Sequence, residues 1–475
     1  MLSTITSSQY SKPPSNKELP HEDVEGTIGA AVDITTHDEV FGDIKHDGPN
    51  YRNVGWVGAV VLLLKSQIGL GVLSLPFALM TLGIVPGVLC LVAIAAIMTW
   101  SGYCVGVFKM KHPQVYSVVD VGEIMFGKIG REIFAAIYCV FMIFVVGSGI
   151  VGASTGLNAV SLHGTCTAVF VAVSAILGFL LASFRTLGKI SWLGWVGLTS
   201  IVAAILTVTI AVGIQDRPAL APQTGEWDKE FHVIAHPTFL QASSAISSLI
   251  LAYAGVPTYF SIAAEMRDPR LFNRSMFISN AIITSIYIAI GTVVYYYCGQ
   301  YVASPALGSA GVLMKRICYG LALPGLYVTV TIYLHLPAKY IFLRFMKGSR
   351  HLNSNSFVHW AVWESCVLGC AVIAYIIASA IPVFGGLVGL IGALFGTFFC
   401  IGLMGAMWIF DNKDRRHTVK TIGYRALFFM NAFLVLLALY LMISGTWGAV
   451  QDIIDSYNAS GGQSAWSCKD NSNSV

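Results

Sequence analysis

Between Leu64 and Pro76 the chain reads Leu64-Lys65-Ser66-Gln67-Ile68-Gly69-Leu70-Gly71-Val72-Leu73-Ser74-Leu75-Pro76, three polar residues and then two glycines and a proline inside an apolar run. Glycine weakens a helix interior and proline breaks it, so an interruption is predicted here. An interrupted helix presents free N–H groups and a positive dipole end to an anion, while unwound carbonyls accept from a cation. A zwitterionic amino acid carries one group for each. A second run, Leu251-Ala252-Tyr253-Ala254-Gly255-Val256-Pro257-Thr258-Tyr259, has a glycine and a proline two residues apart. Ser66, Gln67, Ile68, Gly69, Leu70 and Gly71 from the first run, with Tyr253, Ala254, Gly255 and Val256 from the second, are the candidate substrate-binding residues. The competing reading of the glycines is a close helix crossing, although Gly69-x-Gly71 lacks the small-xxx-small spacing.

The elements that must position these residues follow from composition. Of 475 residues 56% are hydrophobic and 11% charged, and the mean hydropathy is +0.71. A soluble domain carries about 25% charge, so a soluble enzyme is excluded. The 26 Phe, 20 Tyr and 10 Trp exclude disorder over most of the length. The net charge of +4 is spread out with no basic arm, so no nucleic-acid partner is expected. A spanning helix needs about 20 mostly apolar residues. That ruler places eleven spans, near 55–82, 84–108, 132–157, 166–184, 190–214, 239–265, 275–298, 317–343, 358–381, 383–410 and 426–450. The fold class is therefore an all-α polytopic membrane protein, and the expected partners are a lipid bilayer and a small-molecule substrate.

With the N-terminus inside, the inner loops hold seventeen Lys and Arg against five outside, which supports both the orientation and the odd number of spans. Residues 1–54 then form a disordered cytoplasmic tail and 451–475 an extracytoplasmic one. Asn458-Ala459-Ser460 is a glycosylation sequon on the permitted side, whereas Asn273-Arg274-Ser275 lies on the other. Ten cysteines form no CxxC metal pattern, and no metal or cofactor is expected. Cys166, Cys298, Cys318 and Cys468 lie at span ends or in the C-terminal tail; free thiols are the expectation, with a Cys166–Cys298 bridge as the alternative.

Interruptions within spans one and six, the opening helices of two five-helix halves, 55–214 and 239–410, fall at corresponding places; an eleventh helix over 426–450 follows. Such pairs point to a transporter site at the midplane. The Leu64–Pro76 stretch resembles the first-helix signature of the amino acid/auxin permease family. So do Tyr116-Ser117 through Asp120-Val121-Gly122 to Phe126-Gly127-Lys128-Ile129-Gly130-Arg131, and Glu265-Met266-Arg267-Asp268-Pro269. Within that family the chain is most similar to the fungal neutral amino acid permeases of the methyltryptophan-resistance type. The resemblance implies a five-plus-five inverted-repeat fold of the leucine-transporter kind, with helices 1 and 6 broken. It also implies transport of neutral aliphatic and aromatic amino acids, usually with protons.

Lys65 lies about nine residues into the first span, roughly 13 Å deep. An intramembrane charge is by default a functional-site hypothesis; an interface lysine with a later helix start is the competing reading. By resemblance, sodium-coupled members of the family have at this place an asparagine that contributes to the sodium site. The Lys65 ammonium is therefore expected to stand in for sodium, reaching Thr329 and Thr331 of span eight, with the proton gradient as the driving force. Val145, Val146, Gly147 and Ser148, with Tyr253 and Phe260, are expected to form an apolar pocket for neutral side chains. Glu265 is a candidate gate or a plain interface carboxylate, His335 a candidate proton relay beside the anchor Lys339, and Glu364 has no role. No catalytic triad, paired carboxylate, HExxH or phosphate loop occurs, which argues against an enzyme or a primary pump. The expected function is proton-coupled import at the plasma membrane; the alternatives are a vacuolar exporter of the same family and an amino acid sensor.

Overall fold

The computed structural model describes the backbone of residues 36–38 and 42–44, and residues 54–184, 193–346, 349, 356–414, 421–458 and 465–472. The chain divides into two units, 1–49 and 50–475. Of the first, the described part is an antiparallel pair, β1 (Thr36–Asp38) and β2 (Gly42–Ile44), in the register Thr36↔Ile44 and His37↔Asp43. The expectation of a disordered tail otherwise lies outside the described residues.

The second unit is a helical bundle. Its helices are α1 (Trp56–Gln67), α2 (Leu75–Leu82), α3 (Ile84–Lys111), α4 (Val118–Ser161), α5 (Thr167–Ala182), α6 (Leu193–Ile214) and α7 (Phe239–Ala252). They are followed by α8 (Tyr259–Glu265), α9 (Phe272–Cys298), α10 (Val312–Met346), α11 (Phe357–Ala380), α12 (Phe384–Ile391), α13 (Leu403–Asp411) and α14 (Ile422–Asn458). Among the described residues nine helical segments are long and apolar enough to cross a membrane, α7 with α8 and α12 with α13 each counting as one. The pair α1 and Gly71–Leu82, bent by 48°, makes a tenth, and the 16-residue apolar α5 takes the remaining place in the expected order of eleven.

Local chemistry explains where several helices begin. Thr238 caps α7 through a reciprocal box: its hydroxyl accepts from the Gln241 amide at 3.3 Å, and the Gln241 side chain accepts from the Thr238 amide at 3.0 Å. Ser117 and Asp120 cap α4 in the same way. That helix begins fourteen residues before the expected third span, because the segment before Gly127 is helical too; Gly127, at φ +67°, takes a backbone conformation that other residues avoid, and there the helix kinks. Between α12 and α13 the chain makes two π-helical turns, Gly392–Gly396 and Phe398–Gly402.

The C-terminal end departs from expectation twice. The last helix continues to Asn458 instead of ending near 450. The tail then returns over the bundle, and Cys166 is disulfide-bonded to Cys468, neither free nor paired with Cys298. Cys298 is a buried free thiol at the end of α9. Polar contacts make the return: Thr167 Oγ1 donates to the Lys469 carbonyl at 2.6 Å, Asn158 Nδ2 to Asn471 Oδ1 at 2.7 Å, and Asn471 Nδ2 to Ser154 Oγ at 3.2 Å. Apolar periodicity carries no information about such contacts, which is why the pairing was not legible.

Candidate functional site

The first interruption forms because α1 stops at Gln67. Ile68 is extended (φ −74°, ψ 99°), and a 3-10 turn, Gly71–Ser74, follows before α2 restarts with Pro76 in its first turn, where a missing N–H costs nothing. Among the described residues, the amides of Gly69 and Leu70 make no hydrogen bond. They are the orphan donors that a broken helix creates. The second interruption, between α7 and α8, is closed on itself. The Tyr253 amide donates to Ile250 O at 3.1 Å, Ala254 to Leu251 O at 3.0 Å and Gly255 to Tyr253 O at 2.8 Å.

The two interruptions face each other through reciprocal glycines. A Cβ on Gly71 would lie 2.5 Å from Ala252 Cα, and a Cβ on Gly255 would lie 2.7 Å from Ser66 Oγ and 2.8 Å from Gln67 Cγ. Gly69, in contrast, has nothing within 4 Å of where its Cβ would be. Beside it lies a cavity of about 60 Å³ lined by Lys65, Ser66, Gln67, Ile68, Gly69, Leu70 and Gly71, by Phe141, Val145 and Ser148 of α4, by Leu251 and Ala254, and by Thr329 and Tyr333 of α10. Ser148 donates to the Val145 carbonyl at 2.9 Å.

A second cavity of about 160 Å³ continues from the first toward the Val54 end of the bundle, sharing Lys65, Ser66, Ile68, Thr329 and Tyr333 and adding Gly194, Gly197, Thr258 and Ile262 among others. Lys65 stands where the two meet. A Cβ on Gly194 of α6 would lie 1.7 Å from its Nζ, so the missing side chain of that glycine is the space the ammonium occupies. Among the described residues Nζ has no hydrogen-bond or ion-pair partner. Among the described residues no carboxylate lines either cavity.

Several expected site residues lie elsewhere. Tyr253 and Val256 are buried and outside both linings, with Tyr253 OH hydrogen-bonded to Thr284 at 3.1 Å. Gly255 packs against α1. Thr331 donates to the Tyr327 carbonyl at 2.7 Å and lines neither cavity. Gly147 faces Ile377 of α11 and is a packing glycine, and Phe260 stands edge-on to Phe108. Phe141, Gly194 and Tyr333 were missed; in sequence they are ordinary residues of apolar runs. His335 is buried against Trp363, and Glu364 accepts from Ser183 Oγ at 2.8 Å.

Two of the motifs meet at the Val54 end. Tyr116 OH donates to Glu265 Oε1 at 3.0 Å, so Glu265 is tied to the segment before α4. The Val54 amide donates to Glu265 O at 3.1 Å and the Arg267 amide to Val54 O at 2.9 Å, which clasps the entrance of α1 to the exit of α8.

Residues 52–451 match the family model described as transmembrane amino acid transporter protein. The chain is 33% identical over 427 residues to the N amino acid transport system protein of Neurospora crassa, covering 88% of this chain and 89% of that one. It is 32% identical over the full length of both chains to a transmembrane transporter of Gibberella moniliformis. Among solved structures it is similar to Mhp1, a nucleobase-cation-symport-1 family transporter, with a TM-score of 0.52 at 12% identity over 85% of this chain and 92% of that one. It is also similar to a Na⁺-coupled sialic acid symporter, with a TM-score of 0.50 at 14% identity over 85% and 91%. These likenesses show the fold, the broken-helix inverted repeat of the leucine-transporter type.

Proposed function

This chain belongs to the transmembrane amino acid transporter protein family, and from that premise we propose that it imports neutral aliphatic and aromatic amino acids across the plasma membrane by proton symport. The observation that carries this reading is the first interruption. Among the described residues, two amides without a partner, at Gly69 and Leu70, adjoin a cavity whose one charged lining residue is Lys65. The substrate carboxylate is held by these amides and the positive end of the helix restarting at Gly71. Its ammonium group is received by Ser66 Oγ, Ser148 Oγ and the unwound carbonyls. The side chain lies among Leu70, Phe141, Val145, Leu251 and Tyr333, an apolar lining. With no carboxylate in the lining, a cationic side chain is left unpaired at a cost of several kcal/mol.

Lys65 supplies a positive charge where α1, α6 and α10 meet, with Thr329 beside it, and so replaces a bound metal cation. Cycling of that charge links substrate movement to protons. The Val54 end is cytoplasmic and Asn458, exposed at the end of α14, is a glycosylation site on the outer face. The test is uptake of labelled leucine and phenylalanine in permease-deficient cells at about pH 5 and about pH 7.5, with and without sodium, against excess unlabelled arginine or glutamate. Sodium-independent uptake that rises in acid and resists both charged competitors is the expected result. Uptake that requires sodium, or that arginine abolishes, contradicts it.

A further inference from the structure

A single hydroxyl on α9 touches both interruptions. Tyr287 OH is 3.0 Å from the Gln67 carbonyl, the last of α1, and 2.9 Å from the Ala252 carbonyl, the last of α7. Both carbonyls belong to helix ends that have lost their intrahelical donors. A phenol has one hydrogen, so it serves the two carbonyls only while they stay side by side. Tyr287 is fully buried and stands edge-on to Tyr253 at 5.1 Å. It belongs to a stripe of α9, Asn280, Thr284, Tyr287 and Gly291, spaced four, three and four residues and hence on one helix face. Each member touches an interruption or its flank. Asn280 Oδ1 accepts from Gln67 Nε2 at 3.0 Å, Thr284 partners Tyr253, and Gly291 leaves room for Leu79 of α2.

We propose that Tyr287 is a positioning residue for transport, holding the two interruptions in register so that the Gly69 and Leu70 amides and the Ser66 and Ala254 walls face one substrate. This rests on the reading that the cavity between the interruptions holds the substrate. Tyr287 lines neither cavity and acts through the two backbones it joins. Release of the clasp frees α1 and α7 to shift relative to each other, and the substrate then meets a site whose halves are not aligned.

The test compares Tyr287→Phe with Tyr253→Phe in the full-length chain, as KM and Vmax of leucine uptake normalised to protein at the cell surface. Phenylalanine keeps the buried ring and its contact with Tyr253 while removing the shared hydrogen. The expected result is a KM raised about three- to tenfold in Tyr287→Phe, with Vmax per surface molecule within about twofold, which corresponds to the loss of one ordinary hydrogen bond. Tyr253→Phe, which keeps the clasp, stays within about twofold in KM. A wild-type KM in Tyr287→Phe, or equal shifts in the two variants, overturns the proposal. If Tyr287→Phe does not reach the surface, the same comparison is made as the Kd of labelled leucine for detergent-purified protein; weakened binding supports the clasp and wild-type affinity overturns it. A wild-type chain without saturable leucine uptake would instead sink the substrate reading, and the clasp with it.

Discussion

The two interruptions have similar sequence signatures and opposite fates. The first, at Ile68–Leu70, leaves two amides without partners among the described residues, beside a cavity. The second, at Tyr253–Gly255, turns its amides back on its own preceding turn, and Tyr253 and Val256 are buried away from both cavities. A glycine and a proline in an apolar run announce that a helix breaks. Whether the break becomes a ligand site or a packing surface depends on what stands against it, and here the first interruption keeps free donors beside a cavity while the second mainly supplies its wall.

The glycines offer the sharpest way to break that contrast. Gly71→Ala should have the largest effect, because the added methyl meets the Ala252 backbone at 2.5 Å, which cannot give way as a side chain can. Overpacking of about 1–3 kcal/mol predicts a loss of uptake of about tenfold or more at equal surface expression. Gly194→Ala comes next: its methyl takes the space of the Lys65 ammonium. The ratio of uptake at about pH 5 to that at about pH 7.5 should fall toward unity. If the ratio is unchanged, Lys65 has no part in coupling.

Gly255→Ala is milder, since the methyl meets Ser66 Oγ at 2.7 Å and Gln67 Cγ at 2.8 Å, side-chain atoms, and the nearest backbone atom, Ser66 O, only at 3.1 Å; a loss of about three- to tenfold in uptake is expected. Gly69→Ala should be the least damaging, for nothing stands within 4 Å. Leucine uptake is expected to stay within about twofold, with a greater loss for phenylalanine because the methyl enters a cavity of about 60 Å³. A Gly69 variant more damaging than Gly71→Ala would reverse the assignment of open and packed glycines.

Much of the fold was legible because apolar length and Gly-Pro punctuation are local signals. The predicted sixth span, 239–265, coincides with α7 and α8, and the predicted tenth, 383–410, differs by one residue at each end from Phe384–Asp411. The site was legible only on the chain segments that carry the breaks. Of the expected residues, Lys65, Ser66, Ile68, Gly69 and Ala254 are among those that line the cavity. Gly194 and Tyr287 could not be read, because their value lies in what faces them across the bundle. A glycine that leaves room for an ammonium, and a tyrosine that meets two carbonyls, look like packing residues in one dimension. The Cys166–Cys468 bridge was hidden for a similar reason, since the tail that brings Cys468 back is held by scattered polar contacts.

We propose that a protein cation, Lys65, stands in the site in place of a bound metal and links transport to protons. The most direct measurement is labelled leucine accumulation in sodium-free proteoliposomes under an imposed proton gradient, comparing the wild-type chain with Lys65→Ala. The wild type should concentrate leucine above the external level while the gradient lasts, and Lys65→Ala should do no more than equilibrate it. Concentrative uptake by Lys65→Ala equal to that of the wild type, or a wild type that concentrates leucine only when sodium is added, would contradict it.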